Sequence, residues 1–234
     1  MIRLFGTLLV VLSCGCAAER PPIRYDLHEI QVHARSDARL DATIAIAPVH
    51  APSWLRTTAL VYRLDYVLPA RPRAYAQSQW TAPPNELLSL RLRERISADN
   101  DGFTIERLPE STDGYRLEVT LEDFTQIFPS PNRSRCIVTL SVLLEHGDQM
   151  LAQRTFQSER PAPTADAAGA VAGLMRASDS DIEQILTWLR STLPTQRAAT
   201  VPMAIHAFTE APRGESSANH WCSSQGTCEQ VRSK

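Results

Sequence analysis

Lysine is almost absent from this chain. Of the 24 basic residues in 234, only Lys234 is a lysine, and the arginines are scattered rather than blocked together. A formal charge of −2 with no run of one sign argues against nucleic acid as a partner and against polybasic docking onto a membrane by the body of the chain. Glycine is scarce, with nine residues that never cluster, so there is no phosphate-cradling loop. GxSxG, HExxH and paired CxxC motifs are missing as well, which removes the sequence grounds for a hydrolase, a zinc protease or a metal finger. No catalytic residue, metal ligand set or cofactor site is expected. His28, His33, His50 and His146 stand alone in or beside strands, and acidic residues such as Glu118 and Glu122 sit among basic ones on solvent-facing positions. The one long apolar run, Leu4 to Leu12, is too short to span a bilayer as a helix.

That run is the strongest positive signal. Arg3 precedes it, and Ser13-Cys14-Gly15-Cys16 with Ala17 and Ala18 follows. A short basic start, an apolar stretch and a small residue before a cysteine form the layout of a bacterial lipoprotein signal. The thiol takes a diacylglycerol group, the peptidase cuts after the small residue, and the freed amine accepts a further acyl chain such as palmitate. Cys16, behind Gly15 and at the more usual distance from Met1, is favoured over Cys14 as the attachment site. Each buried methylene contributes about 0.8 kcal/mol, so one chain holds weakly and two or three hold durably. Ala17 stands where an aspartate would favour retention at the inner membrane, so the periplasmic face of the outer membrane is expected.

The organisation that follows is a signal peptide over 1–15, a lipidated tether over 16–22, a domain over 23–194 and a tail over 195–234. The tail's Ala, Thr, Ser, Pro and Gly content reads as disordered. Within the domain, Ile23–Glu29, Thr43–Val49 and Ala59–Leu68 read as strands, and Arg73–Trp80 as a short extended piece. Pro83-Pro84 opens an amphipathic helix over Asn85–Ile96, with Leu88, Leu92 and Ile96 inward and Arg91, Arg93, Glu94 and Arg95 between them. Phe103–Leu108, Tyr115–Phe124, Cys136–His146 and Met150–Gln157 read as further strands, with Gly147-Asp148 as a hairpin turn. A last helix over Asp166–Leu193 carries Val171, Leu174, Met175, Ile182, Ile185, Leu186 and Leu189 on one stripe. The order predicts an α+β fold: a mixed, mainly antiparallel sheet with two helices packed on one face.

Three further readings concern single residues. Cys136 on its strand is a small buried apolar residue rather than a reactive thiol. Cys222 and Cys228, with five residues between them, read as a disulfide in the periplasm; a metal site with His206 and His220 lacks the spacing of a known finger. Trp54 and Leu55, and Trp80, sit beside prolines, and are candidates for partner contact as well as for plugs of the core.

Several of these pieces together carry a resemblance. Tyr25-Asp26-Leu27, Ile44-Ala45-Ile46-Ala47-Pro48-Val49, Ala51-Pro52-Ser53-Trp54-Leu55, Tyr75, Trp80-Thr81-Ala82-Pro83-Pro84 before Leu87-Leu88, Tyr115-Arg116-Leu117-Glu118-Val119 leading to Phe124, and Ile185-Leu186-Thr187-Trp188-Leu189 occur in the order seen in the ABC-type transport auxiliary lipoproteins of the PqiC type. The chain resembles that family from about Cys16 to Leu193, departing from it at Val61-Tyr62 before Arg63 and in the tail. The resemblance implies a non-catalytic lipoprotein in a system for intermembrane lipid transport, with an MCE-domain protein as partner and assembly into a homo-oligomer. The rival readings are a lipoprotein that binds a lipid or small ligand itself, and an assembly factor for another envelope complex.

Overall fold

The computed structural model describes residues 21–27, 39–110 and 112–193. The cysteines Cys14, Cys16, Cys222 and Cys228, and His28 and His33, lie outside them, as do the signal peptide, most of the tether and the tail. Eight strands form one sheet: β1 Ile23–Tyr25, β2 Ile44–Ile46, β3 Ala59–Leu64, β4 Pro72–Trp80, β5 Thr104–Ile105, β6 Tyr115–Ser130, β7 Arg133–His146 and β8 Gln149–Pro161. Two helices, α1 Pro84–Ala98 and α2 Ala167–Thr192, and a short 3-10 turn at Ser53–Leu55 complete the domain. The expected α+β class, with a mixed and mostly antiparallel sheet, is what the chain adopts.

The sheet forks about β6. On one flank β6 pairs antiparallel with β7 along nearly its whole length, and β7 pairs with β8. The hairpin between β7 and β8 turns on Gly147, whose φ of 57° suits a residue without a Cβ. The other flank of β6 is shared. Its first residues pair parallel with β2, which carries β5; His50 bridges to Thr120; its last residues pair parallel with β3, which carries β4 and β1.

A bulge between Leu121 and Asp123 sets the inward row of β6. Leu117, Val119 and Leu121 face inward opposite Leu144, Val142 and Leu140, and the extra residue keeps Phe124 and Gln126 inward opposite Val138 and Cys136. Unbroken alternation would have turned these residues outward. The strand also runs on to Ser130 instead of ending at Phe124, because β3 and β7 hold its second half from both sides. Elsewhere β4 is a full nine-residue strand rather than a short piece, β1 ends at Tyr25, and β5 is only two residues long.

The helices share one core with the sheet. Leu88, Leu92 and Ile96 of α1 and Leu174, Ile182, Ile185, Leu186 and Leu189 of α2 cluster with Leu117, Val119, Val138 and Val142. Proline occupies the first turn of α1, where a missing N–H costs nothing. Asp166 caps α2 by accepting from Gly169 N at 2.8 Å, and the same bond holds its carboxylate below the usual range. Close approach of α2 to β7 depends on Gly173, where a Cβ would stand 2.5 Å from Cys136 Sγ. Cys136 is fully buried, its thiol pushed up to about 12 by burial, so it carries no thiolate chemistry at neutral pH.

Arg91 corrects one expectation. It belongs to the polar residues of α1 by pattern, yet it is 5% exposed. Its Nε and Nη2 donate to the two carboxylate oxygens of Asp179 at 2.8 Å each, and Nη1 donates to Leu27 O. One guanidinium thus ties the segment after β1 to both helices. Arg95–Glu183 at 3.0 Å and an Arg190–Asp99 pair add to the same seam.

Candidate functional site

The three residues expected to offer a contact surface divide. Leu55 and Trp80 are 1% exposed and belong to the core, Trp80 against Phe124 at 5.6 Å between ring centroids. They are anchors of the fold and offer nothing to a partner. Trp54, on the 3-10 turn, is 42% exposed and stays available. The turn explains the split: with about three residues per turn, neighbours at its centre point to different sides.

A larger feature emerges only from the tertiary structure. β8 pairs only with β7, so its other edge is free among the described residues. On the helix-facing side, β8 and α2 run antiparallel as a matched ladder. Arg160 Nη2 donates to Ser180 Oγ at 2.6 Å, Gln184 Nε2 donates to Ser158 Oγ at 3.0 Å, and Phe156 meets Trp188 edge-on at 5.8 Å. Each step takes two strand residues and four helix residues, about 6.7 Å against about 6 Å, so the two elements stay in step. Between them runs a groove of about 750 Å3.

The groove is electropositive for a reason visible in its pairings. Asp179 and Glu183 are already matched to Arg91 and Arg95. Arg154, Arg160 and Arg176 have no carboxylate within salt-bridge distance among the described residues. Arg154 lies over the Phe156 ring at 5.3 Å, Arg160 is held by Ser180 and by the Glu159 carbonyl, and Arg176 donates to the carbonyls of Ala172 and Pro161. Neutral acceptors position these guanidinium groups, Arg160 also lies in the field of the buried Asp181 carboxyl, and donors remain for a carboxylate or phosphate. Asp181, fully buried beneath the ladder, receives a 3.4 Å bond from Gln184 on Oδ1 and has no partner on Oδ2. Burial pushes its carboxyl up to about 6, against the pull of nearby Ser158 and Arg160.

Among the described residues no three His, Cys, Asp or Glu side chains gather where they could hold a metal ion. His146 pairs on the surface with Asp113 at 2.7 Å. A signal for the groove did exist in the sequence: Arg154, Phe156, Ser158 and Arg160 alternate on one strand face. Without the register of β8 on α2, that alternation looks like an ordinary solvent face.

Comparison with known proteins places the chain among auxiliary lipoproteins of the cell envelope. Residues 25–186 match the model of the family described as the ABC-type transport auxiliary lipoprotein component, and the chain belongs to that family. Similar folds occur in the crystal structure of a Xanthomonas campestris protein described as DUF330, at TM-score 0.58 and 16% identity over 74% of this chain and 93% of that one. A second crystal structure, of an uncharacterized protein, has a TM-score of 0.56 and 16% identity over 73% of this chain and 99% of that one. No curated protein matches the chain. Membership agrees with a lipoprotein of the cell envelope, and no helix among the described residues is long and apolar enough to cross a membrane.

Proposed function

We propose that the chain is a non-catalytic subunit of an MCE-type intermembrane lipid transport system, held by acyl chains on Cys16 at the periplasmic face of the outer membrane, and that it docks an MCE-domain partner. Membership of a transport auxiliary family supports the class. The observation that carries the docking role is the β8–α2 groove, where three arginines without carboxylate partners among the described residues lie beside a strand edge left free by those residues. Such an edge offers main-chain hydrogen bonds, and the arginines select acidic side chains. Trp54 offers a separate exposed aromatic for contacts between copies of the chain or with the partner.

Crosslinking and pull-down of the acylated protein from its own membranes tests this reading, with Cys16→Ala as the anchor control. Recovery of an MCE-domain protein, reduced by Arg154→Glu/Arg160→Glu, is expected. Recovery of only further copies of the chain, or of an unrelated envelope complex, overturns the transport role.

A further inference from the structure

The turn between β3 and β4 carries three consecutive large apolar side chains in solvent: Tyr66 at 46%, Val67 at 57% and Leu68 at 50% exposure. This is a built turn. Val67 N and Leu68 N both donate to Leu64 O at 3.0 and 2.9 Å, Arg71 N donates to Leu68 O at 3.2 Å, and Asp65 N donates to Phe128 O at 2.9 Å. The backbone is fixed and the side chains are directed outward. Single exposed apolar residues are ordinary, but three in a row on a rigid tip mark a surface that something covers.

Three observations identify what covers it. First, basic groups surround the tip. Leu64 is level with Phe128, which brings the β6–β7 turn to the same end of the sheet. Arg71, Arg73 and Arg133 at this end have no carboxylate partner among the described residues, whereas Arg63 and Arg135 are paired with Asp123 and Glu159. Second, the chain enters from this end. β1 lies parallel to β4 with Ile23 opposite Ser78, so the direction back from Ile23 is the direction back from Ser78 to Pro72. Third, the lengths agree. The six strand steps from Ser78 to Pro72 cover about 20 Å, and a seven-residue tether from Cys16 to Pro22 reaches up to about 23 Å.

We propose that Tyr66, Val67 and Leu68 form a second, non-covalent membrane contact, seated in the leaflet that holds the acyl chains while Arg71, Arg73 and Arg133 meet lipid phosphates. For its placement beside a bilayer this rests on the Cys16 anchor. An aromatic residue at the interface, aliphatic residues at the tip and a collar of arginines form a pattern suited to a lipid surface. One acylated tether limits distance without fixing orientation. A second contact stands the long β6–β7 hairpin away from the membrane, with its far end, at Met150, about 40 Å out.

The test places a photoreactive benzoylphenylalanine at Val67, and in a separate chain at Met150, in full-length protein in cells whose phospholipids carry labelled phosphate. Met150 is 65% exposed and lies at the opposite end of the sheet, so it controls for apolar exposure alone. The expected result is a phospholipid adduct at position 67, weakened by Arg71→Glu/Arg73→Glu, and none above background at 150. An adduct to a protein or to a second copy at position 67, or equal lipid adducts at both positions, overturns the proposal. The mass of the N-terminal peptide separates the two readings. Acylated Cys16 without lipid at position 67 removes the contact and keeps the anchor. Unmodified Cys16 with lipid at position 67 removes the anchor and keeps the contact.

Discussion

Alanine at position 173 is expected to destabilise the protein, although alanine is the better helix former. The new methyl would stand 2.5 Å from Cys136 Sγ and 3.1 Å from its Cβ, where ordinary carbon contacts lie at about 3.5–4.0 Å. Something must move by roughly an ångström. The strand cannot do so cheaply, because Cys136 is paired with Gln126 on one side and Arg160 on the other. The helix is held at its start by the Asp166 cap and within the same turn by Leu174, which is fully buried. Overpacking of this kind costs about 1–3 kcal/mol, and relief of the glycine penalty in a helix returns about 1 kcal/mol. A net loss of about 1 kcal/mol, within a range of about 0–2 kcal/mol, follows. Cys136→Ala removes the nearer of the two contacts, so the double variant should be more stable than the sum of the single effects by about 1 kcal/mol. Urea unfolding followed by tryptophan fluorescence measures all four proteins, since Trp80 and Trp188 are buried reporters. A Gly173→Ala protein more stable than the original, or strict additivity in the cycle, would refute the close-contact argument.

Two other perturbations test the groups around the groove. Asp181 has its folded-state pKa raised from 3.8 to about 6. The folded chain therefore holds this proton more tightly than the unfolded chain, and the resulting stabilisation is complete below about pH 4 and lost as pH rises through 6. Asp181→Asn should flatten the stability curve between pH 4 and 6 and gain at most ~3 kcal/mol relative to the original at pH 7.5; parallel pH curves for the two proteins would show that Asp181 is not the titrating group. Arg91→Met strands the Asp179 carboxylate and the Leu27 carbonyl, which should cost about 2–4 kcal/mol. Adding Asp179→Leu should recover much of that loss in denaturant unfolding, whereas equal loss in both variants contradicts the pairing.

Local signals are legible where local physics dominates. Pro83-Pro84 placed the start of α1, the Leu174-to-Leu189 stripe placed α2 on the sheet, Gly147-Asp148 placed a hairpin, and Leu117, Val119 and Leu121 placed the inward face of β6. These depend on side-chain period, proline geometry and turn chemistry, all carried by neighbouring residues. The forked sheet was not readable in this way. Parallel pairing of β2 and β3 with β6 joins segments about 70 residues apart, and no local pattern states which strands meet.

The candidate site shows the same division. The expected N-terminal lipoprotein signal is a linear pattern, of the kind that processing enzymes read on an unfolded chain. By contrast, Trp54, Leu55 and Trp80 look alike in sequence, yet one is exposed and two are core. Arg91 looks like its neighbours Arg93 and Arg95, yet it is buried because Asp179 arrives from another helix. The arginines of β8 gain their meaning only when α2 lies beside them and its Asp179 and Glu183 are already claimed by α1. Composition and spacing determine which elements form. Tertiary structure decides which charges remain unmatched and which apolar side chains stay in water, because pairing and burial depend on residues distant in the chain.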